Sequence, residues 1–394
     1  MQRLKCCIKY IVKKVIAALL HIYWVFPVKP NKVLFMNDHS YTFSDNLKYL
    51  TLYLLDNNKD NNKYLIYFSL KDSSGTEGKN IKVVKFLSLA HFYHAITSRV
   101  LITNNSGISY LPIRKSQLVI NTWHGGGPYK VTGVENIDNR WYEKDLKYNA
   151  KKTGIMLSSC EVFSTVEAPS QGFSQNQMMN CGMPRMDFFL NEGFMMDVRK
   201  RVTDHYHIPE NSKILLYAPT FRGQFESYDN VISGGALELD YTAVLNALKN
   251  KFGGEWVFAV RLHPRLKDYT LSDERIVNMT QYQDAEEILM ATDVLVTDYS
   301  SVMWDFSFSR KPIFLFATDL DDYEVKRGFY IPPEEWPYPI ATSNEEMLHN
   351  ISSYDYDEYI RVLEDHYIKA GSYERGHACE MVKKVIDEYI GSGC

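Results

Sequence analysis

The segment Leu118 to Pro128, with the sequence LVINTWHGGGP, joins an apolar run of strand length to a glycine-rich loop. The apolar run has the length and composition of a buried β-strand. Three glycines and a proline then end the strand, and they leave His124 at the point where the strand opens. Runs of the same kind lie on both sides of this segment, and together they decide the predicted fold.

The first half of the chain alternates apolar runs of strand length with helical stretches. Predicted strands are 32–36, 63–69, 81–85, 100–103 and 118–122, and predicted helices are 46–55 and 88–97. Such alternation is typical of a parallel sheet whose faces are covered by helices. The first half therefore predicts one α/β domain.

The pattern starts again at residues 213–218, KILLYA, which read as another buried strand. A helix is predicted at 241–251, and further strands at 256–262, 276–278, 294–297 and 312–316. The predicted fold class is α/β, with two Rossmann-like, doubly wound domains that face a cleft at the carboxyl ends of their strands. We expect the domains at 29–190 and 191–394, with the last helix, 380–390, as a candidate brace against the first domain.

Length and composition fit this organisation and exclude several classes of protein. A chain of 394 residues suits two cores, and 45% hydrophobic with 23% charged residues argues against disorder and against a protein with many membrane spans. The net charge of −4 gives no footprint for nucleic acid. The six cysteines form no CxxC pair and no zinc-type spacing, which predicts free thiols in a reducing cytoplasm.

Residues 1–28 differ from the rest of the chain because they carry basic residues and no acidic ones. Apolar residues recur there at helical spacing, but the uncharged run is only about 14 residues, short of the ~20 that cross a bilayer. A secretory signal is disfavoured because no small-residue cleavage site follows. We predict an amphipathic helix on an anionic membrane surface, with Trp24 and Phe26 at headgroup depth; the alternative is a helix packed on the protein's own core.

Candidate catalytic chemistry in the first domain centres on His124. A histidine where a buried strand opens into glycines can approach a ligand closely, because glycine removes steric cover. We therefore interpret His124 as a general base. The alternative is a structural histidine in a turn.

Candidate phosphate contacts in the second domain also follow predicted strands. Arg261 and His263 are assigned to a diphosphate, since guanidinium forks pair with phosphate oxygens and an imidazole can donate to a leaving group. Ser300 and Ser301 are expected at a helix N-terminus, where backbone N–H groups hold an anion without a metal. Weaker candidates for phosphate binding are Thr220, Arg222 and Arg327. A solvated loop, or simple helix capping, is the alternative at these positions.

Six motifs in this order resemble the CDP-glycerol glycerophosphotransferase family, whose members prime and polymerise teichoic acids and related cell-surface polymers. The resemblance covers most of the chain beyond residue 30. The motifs are Ser44-Asp45-Asn46, TWHG at 122–125, GMPRMD at 182–187, APTFR at 218–222, RLHP at 261–264 and TDYSS at 297–301.

The resemblance implies a GT-B fold, a donor of the CDP-glycerol or CDP-ribitol type, CMP as leaving group, and peripheral attachment to the cytoplasmic face of the cell membrane. It matches His124 to the family's proposed base, and His263, Ser300 and Ser301 to the donor-phosphate site. Residues expected on the side of a lipid-linked or polymeric acceptor are Asp45, Asn46, Gly125 and Lys130. The stretch 125–130, GGGPYK, departs from the more frequent family sequence Gly-Thr-Pro-Leu-Lys, so the acceptor stays open.

The predicted reaction starts when His124 removes a proton from an acceptor hydroxyl, which attacks the β-phosphorus of the donor. His263, from the other domain, is expected across one groove and stabilises the phosphoryl group and the departing CMP together with Arg261 and the helix amides. No DxD-like metal site stands out: Asp319 to Asp322 come nearest and are predicted to be a solvated turn. We expect no cofactor and no obligatory metal.

Two other functions are compatible with the same sequence. One is a GT-B glycosyltransferase that uses a nucleotide sugar, and the other is a non-enzymatic, membrane-bound nucleotide-binding scaffold. The choice of polyol, single addition or chain extension, and assembly into a homo-oligomer also stay open.

Overall fold

The computed structural model describes residues 2–58, 63–137, 139–220, 232–233, 236–262, 271 and 273–392. The chain divides into two compact units. The first unit comprises Met1–Gly126, Val131–Phe188 and Gly371–Cys394, and the second comprises Gly127–Lys130 and Phe189–Ala370. The chain thus returns to the first unit after completing the second.

The first unit is built on a seven-stranded sheet in which every neighbouring pair is parallel. Its strands are β1 (Lys29–Met36), β2 (Leu65–Leu70), β3 (Lys82–Lys85), β4 (Ser98–Thr103), β5 (Leu118–Asn121), β6 (Ile155–Ser158) and β7 (Met178–Asn180). The spatial order is β3-β2-β1-β4-β5-β6-β7. The central strands are continuous apolar runs because helices cover both faces of a parallel sheet.

The helices of the first unit alternate with these strands. They are α1 (Gln2–Leu20), α2 (Asp45–Asp56), α3 (Leu89–Thr97), α4 (Gly133–Asn136), α5 (Arg140–Lys152), α6 (Ala168–Ser170) and α7 (Pro184–Phe189), and the C-terminal helix, labelled α15, spans Ala378–Gly391. Short 3₁₀ turns lie at His21–Val25, Ile108–Tyr110 and Gln175–Gln177, and a π-helical turn at Phe163–Glu167. Helix α15 packs on α2, within the same unit.

The second unit has its own parallel sheet, of six strands in the order β12-β11-β8-β13-β14-β15. These strands are β8 (Ser212–Tyr217), β11 (Glu255–Val260), β12 (Val277–Asn278), β13 (Val294–Thr297), β14 (Ile313–Phe316) and β15 (Ile340–Ala341). A separate antiparallel pair is formed by β9 (Ile232–Ser233) and β10 (Ala236–Leu237). The helices are α8 (Glu192–His205), α9 (Tyr241–Phe252), α10 (Ala285–Ala291), α11 (Val302–Ser307), α12 (Leu320–Arg327), α13 (Asn344–Ser353) and α14 (Tyr356–Ala370), with a 3₁₀ turn at Pro333–Glu335.

The predicted α/β class with two parallel sheets is confirmed, and most predicted strands lie within two residues of the observed ones. Three edge or near-edge strands were not predicted, namely β6, β7 and β15. They are only four, three and two residues long. In the folded sheet they are defined by their pairing with neighbouring strands.

Helix α1 packs through one face on the first unit and leaves an apolar face exposed. On the packed face Ala17 and Leu20 are buried, Lys13 donates to Asp145, and Lys14 lies over the ring of Tyr148. The opposite face presents a stripe of exposed side chains, which are Leu4, Ile8, Ile11, Val12, Val15 and Leu19. In the part of the chain that the structure describes, no helix is both long and apolar enough to cross a membrane.

Candidate active site

The loop after β5 fixes the orientation of His124. Trp123 has a positive φ of 55°, which a bulky residue rarely adopts, and its backbone N–H donates to Asn121 Oδ1 at 2.9 Å. The turn brings His124 Nδ1 to 2.9 Å from the backbone carbonyl of Asn104. A carbonyl oxygen only accepts, so in the neutral ring Nδ1 carries the proton and Nε2 carries the lone pair. This is the tautomer that a general base needs.

A second imidazole, not predicted from the sequence, lies against the first. The rings of His39 and His124 stack with their centroids 4.2 Å apart and an angle of 14° between their planes. His39 is exposed as a residue, yet the protein around its ring lowers its pKa, and the nearby Asp45 carboxylate opposes this effect. The position of His39 in the sequence could have indicated this role. His39 follows β1, and the carboxyl ends of neighbouring parallel strands meet at one edge of the sheet.

Asp38 adds a carboxyl group to this edge. Its Oδ1 accepts a hydrogen bond of 2.9 Å from Thr103 Oγ1, and burial raises its pKa to about 6. The backbone at Gly107 passes so close that a Cβ there would lie 1.7 Å from Asp38 Oδ2. Glycine at 107 is therefore required for this carboxyl to hold its place.

Asp45 connects the His124 loop to a buried arginine. Its Oδ1 accepts from Arg185 Nη1 at 2.8 Å, and its Oδ2 accepts from Asn104 Nδ2 at 2.7 Å. Asn104 is the residue whose carbonyl holds His124. The chain from Arg185 through Asp45 and Asn104 therefore positions the imidazole.

Asn46 holds the same loop from beneath. Its side-chain amide donates to the carbonyls of Thr122 and Trp123, at 3.3 and 3.1 Å, and its Oδ1 accepts from the backbone N–H of Arg185. Asp45 is 7% exposed and Asn46 is 0% exposed. Both side chains thus support the histidine loop, and their assignment to the acceptor side stays a prediction.

The GMPRMD motif serves the same framework. Gly182 has a φ of 80°, and a Cβ there would meet Glu374 Oε2 at 2.5 Å, so the turn needs glycine. Arg185 is 1% exposed and provides the ion pair with Asp45. Asp187 accepts from the backbone N–H groups of Ala378 and Cys379 at 3.0 and 2.7 Å. The motif thus ties the histidine loop and α15 to one point.

The glycine-rich loop itself passes from one unit to the other. Gly125 is half-buried in the first unit, beside His124. Lys130, which we expected on the acceptor side with Gly125, clusters with the second unit, where its backbone pairs with Phe329 in an antiparallel bridge. A Cβ at Gly127 would lie 2.8 Å from the Cβ of Trp304, so the loop needs glycine at that close approach.

In the second unit the ends of β8 and β13 form a polar edge. The buried Asp298 accepts from the backbone N–H of Thr220 at 2.9 Å, from its hydroxyl at 2.5 Å, and from the N–H of Tyr299. Thr220, predicted as a phosphate contact, is therefore oriented by Asp298. Ser300 and Ser301 follow at once and are half-buried, and Ser301 is the N-cap of α11 without a side-chain cap of its own.

Two of the predicted basic contacts are described by the structure and two are not. Arg261 Nη1 donates to the carbonyls of Met279 and Tyr282 at 2.9 and 2.8 Å, and burial lowers its pKa. Arg327 is the last residue of α12 and is half-buried. His263 and Arg222 lie outside the described residues. The assignment of all four to the donor phosphate stays a prediction.

The geometry supplies a base in the first unit and a polar, serine-containing helix start in the second. A neutral imidazole with its Nε2 lone pair can accept a proton from a hydroxyl, and helix amides can hold phosphate oxygens. Among the described residues no group of three His, Cys, Asp or Glu side chains is placed to hold a metal ion. The expected metal-free reaction stays a prediction.

Comparison with known families places the motifs in context. The family model described as CDP-Glycerol:Poly(glycerophosphate) glycerophosphotransferase matches residues 18–388. The teichoic acid glycerol-phosphate primase of Bacillus subtilis (strain 168) is 30% identical, over 76% of this chain and 76% of the primase. The teichoic acid poly(ribitol-phosphate) polymerase of Bacillus spizizenii (strain ATCC 23059 / NRRL B-14472 / W23) is 28% identical over 88% of this chain.

The chain spans about half the length of the first two curated relatives that it matches, 55% and 51%. Among solved structures, one of the wall teichoic acid polymerase TagF superposes with a TM-score of 0.81 at 22% identity, and the match covers 99% of this chain and 98% of that one. The two chains therefore share a fold.

Proposed function

Because the chain belongs to the CDP-glycerol:poly(glycerophosphate) glycerophosphotransferase family, we propose that it transfers a polyol phosphate from a CDP-activated donor to a hydroxyl of a lipid-linked or polymeric acceptor. The observation that carries the proposal is the 2.9 Å contact between His124 Nδ1 and the Asn104 carbonyl. In a neutral ring this contact places the proton on Nδ1 and leaves Nε2 as the basic nitrogen. Glycerol phosphate and ribitol phosphate both occur in the names of the relatives. We take glycerol phosphate as the favoured group and ribitol phosphate as the alternative.

In the proposed reaction His124 Nε2 accepts the proton of the acceptor hydroxyl. The hydroxyl oxygen forms a bond to the β-phosphorus, and the bond from that phosphorus to the oxygen bridging to CMP breaks. CMP leaves with the electron pair of that bond. Arg185, Asp45 and Asn104 take no proton; they hold the ring so that its lone pair faces the reacting oxygen.

The donor phosphates are proposed to bind the second unit. Ser300 and Ser301 supply hydroxyls and backbone N–H groups, and Thr220, oriented by Asp298, lies on the neighbouring strand end. Arg222, Arg261, His263 and Arg327 complete the proposed set. Positive charge and helix amides offset the charge that builds on the phosphoryl oxygens, so no metal is required for this step.

The test is a comparison of His124→Ala with the unaltered chain. Turnover, measured as CMP release from CDP-glycerol and CDP-ribitol, should fall by at least about a hundredfold, the usual contribution of a general base. Donor affinity, measured by calorimetry, should change little because the donor contacts lie on other residues. His349→Ala, which removes an exposed histidine of the second unit, is the matched control.

The outcomes separate the competing functions. Release of UDP or GDP from a sugar nucleotide, with no CMP from either polyol donor, would identify a glycosyltransferase instead. Donor binding without turnover in the unaltered chain, over a panel of acceptors, would identify a scaffold. Mass spectrometry of the product distinguishes single addition from chain extension and names the polyol.

We also propose that α1 attaches the chain to the cytoplasmic face of the cell membrane as a peripheral protein. The support is the polarity of the helix: Lys13 and Lys14 face the protein, while the apolar stripe from Leu4 to Leu19 faces solvent. Exposed Ile22, Trp24 and Phe26 continue the apolar surface. The expected attraction between anionic lipid and the basic face of α1 is reduced, because Lys13 pairs with Asp145 and Lys14 lies over the ring of Tyr148.

Replacing the exposed side chains tests this attachment without touching the packed face. The triple variant Ile8→Gln, Val15→Gln, Leu19→Gln should float poorly with phospholipid vesicles and should keep its free energy of unfolding, since these side chains contact water in the folded state. Transfer to a soluble acceptor should be unchanged. Equal flotation of the variant and the unaltered chain would refute the proposal.

A further inference from the structure

A cluster of cationic and aromatic side chains lies at the edge of the first sheet opposite the candidate active site. Lys32 on β1, Tyr67 on β2 and Lys82 on β3 share one sheet face, because Leu34 pairs with Tyr67 and Tyr67 pairs with Lys82 in the parallel register. Lys32 and Lys82 lie toward the amino ends of their strands, whereas His124 and His39 follow the carboxyl ends. Helix α3 covers this face.

Tyr67 is the platform of the cluster. The ring of His94, from α3, stacks on it with centroids 4.0 Å apart, and the ammonium groups of Lys32 and Lys82 lie 5.0 and 5.6 Å from its centroid. Lys32 is 1% exposed and donates to Thr97 Oγ1 at 2.7 Å. Two ammonium groups and a neutral imidazole thus surround one ring.

The charges in this cluster have one sign. The charged groups that act on His94 are Lys32, Lys29 and Lys82, and with burial they lower its pKa to about 4. The pKa of Lys32 is lowered to about 7 by burial and by Lys29. Within the described ranges, no ion pair includes any of these three lysines, and the buried Nδ1 of His94 has no hydrogen-bond partner.

An arrangement of buried and exposed cations without a counter-ion is costly, since each charge repels the others at reduced dielectric. The end of α3 offsets part of this cost, because the helix C-terminus carries partial negative charge near Lys32. The exposed ammonium groups of Lys29 and Lys82 have no counter-ion among the described residues. A bound anion would complete them.

We propose that Lys29, Lys82 and His94, over the Tyr67 platform, form a binding site for a phosphate group, which a phospholipid headgroup or a soluble phosphate ester supplies. Lysine ammonium groups bind phosphate oxygens as point charges, and a neutral imidazole can donate to them through its one N–H group. The site adjoins the exposed apolar end of the N-terminal segment, where the ring of Phe26 packs edge-to-face on Tyr93 with centroids 5.2 Å apart.

The test uses the double variant Lys29→Gln, Lys82→Gln, which changes two exposed side chains and leaves the buried Lys32 in place. A matched control, Lys71→Gln, Lys85→Gln, removes the same charge from the carboxyl end of the same sheet. Each protein is titrated with inorganic phosphate, with glycerol phosphate, and with vesicles of phosphatidylcholine alone or mixed with phosphatidylglycerol.

Loss of the two lysines should weaken the phosphatidylglycerol-dependent part of vesicle binding, or the affinity for soluble phosphate, by about 25-fold, since each lysine near an anionic surface contributes a factor of about five. The control should change binding far less. A defect with vesicles only identifies a headgroup site, and a defect with soluble phosphate only identifies a phosphate-ester site.

Equal behaviour of the double variant and its control in every titration overturns the proposal. The proposal does not depend on the transfer reaction, and CMP release with a soluble acceptor should be the same in both variants. A failed phosphate site and a failed transferase assignment are therefore distinguishable.

Discussion

Asp45 illustrates how single residues position the proposed base without touching substrate. Its carboxylate is buried between Arg185 and Asn104, and Asn104 holds the imidazole of His124 through its carbonyl. An ion pair in such surroundings is poor evidence for net stability, but removing one partner leaves the other charge buried alone. Asp45 therefore has two separable effects: it stabilises the folded first unit by pairing with Arg185, and it orients the imidazole of His124 through Asn104.

Replacing Asp45 by alanine should lower the free energy of unfolding of the first unit by about 3 kcal/mol, the usual effect of stranding a buried arginine. It should also lower kcat with little change in KM for the donor, because the base loses its orientation. Denaturant titration and steady-state CMP release measure the two effects. Asp56→Ala, at the end of the same helix, is the control, and an unchanged kcat in a folded Asp45→Ala protein would contradict the role.

The residues of the candidate site differ in how well the sequence alone could predict them. His124, Ser300 and Ser301 follow apolar runs directly, so their position at a strand end was readable. The role of Asp45 was not, because its partner Arg185 lies 140 residues away. His39 could have been included from its place after β1, but its stacking on His124 depends on the order of strands in the sheet.

At the scale of elements, α15 depends on a cap supplied from a distant part of the chain. The helix begins after His377, whose side chain caps nothing, and Asp187 accepts from the first two helical N–H groups instead. A carboxylate near a helix N-terminus also interacts favourably with the helix dipole. The sequence predicted this helix. It did not predict that the start of the helix is buried against α7, because that contact joins residues far apart in the chain.

Asp187→Ala should therefore destabilise the first unit by about 1–2 kcal/mol, the usual cost of losing a helix cap. Hydrogen exchange of the amides at the start of α15 should accelerate, while α13 of the second unit should exchange as before. Asp204→Ala, which removes an exposed carboxylate from α8, provides the comparison. Unchanged protection of α15 in the variant would show that the cap is dispensable.

At the scale of the whole molecule, both units contain a buried histidine that resists protonation. Burial lowers the pKa of His91 in the first unit and of His366 in the second to about 4. His91 lies between Ser69 Oγ and Tyr110 Oη, and His366 Nε2 lies 3.0 Å from Tyr129 Oη. Neither environment supplies a carboxylate among these contacts, so the neutral form is preferred.

The sign of the pH effect follows from proton binding. Between pH 6.5 and pH 4 the unfolded chain protonates these histidines while the folded units do not, so stability falls as the pH falls through this window. Asp38 acts in the opposite direction, because its raised pKa makes the folded state hold a proton up to about pH 6. His94, whose pKa is also lowered to about 4, adds to the effect of His91 and His366. These histidines outweigh the one carboxyl, so denaturant titrations at pH 7 and pH 5 should show lower stability at pH 5.

His91→Gln should reduce this pH dependence in the first unit and leave that of the second unit unchanged. The glutamine amide can meet the same two hydroxyls and does not titrate in this range. Unfolding followed by hydrogen exchange, at both pH values, resolves the units. An identical pH dependence in the variant and the unaltered chain would mean that His91 does not contribute.

The return of the chain to its first unit has a consequence for biogenesis. Residues 189–370 are synthesised as one continuous block, whereas the first unit receives Ser372, whose backbone bridges to Cys160, and the helix α15 only after that block has been made. A nascent polypeptide can therefore complete the later block before the earlier one. Premature termination near residue 370 would release a polypeptide whose leading half lacks its closing helix, and quality-control proteases would meet that half first.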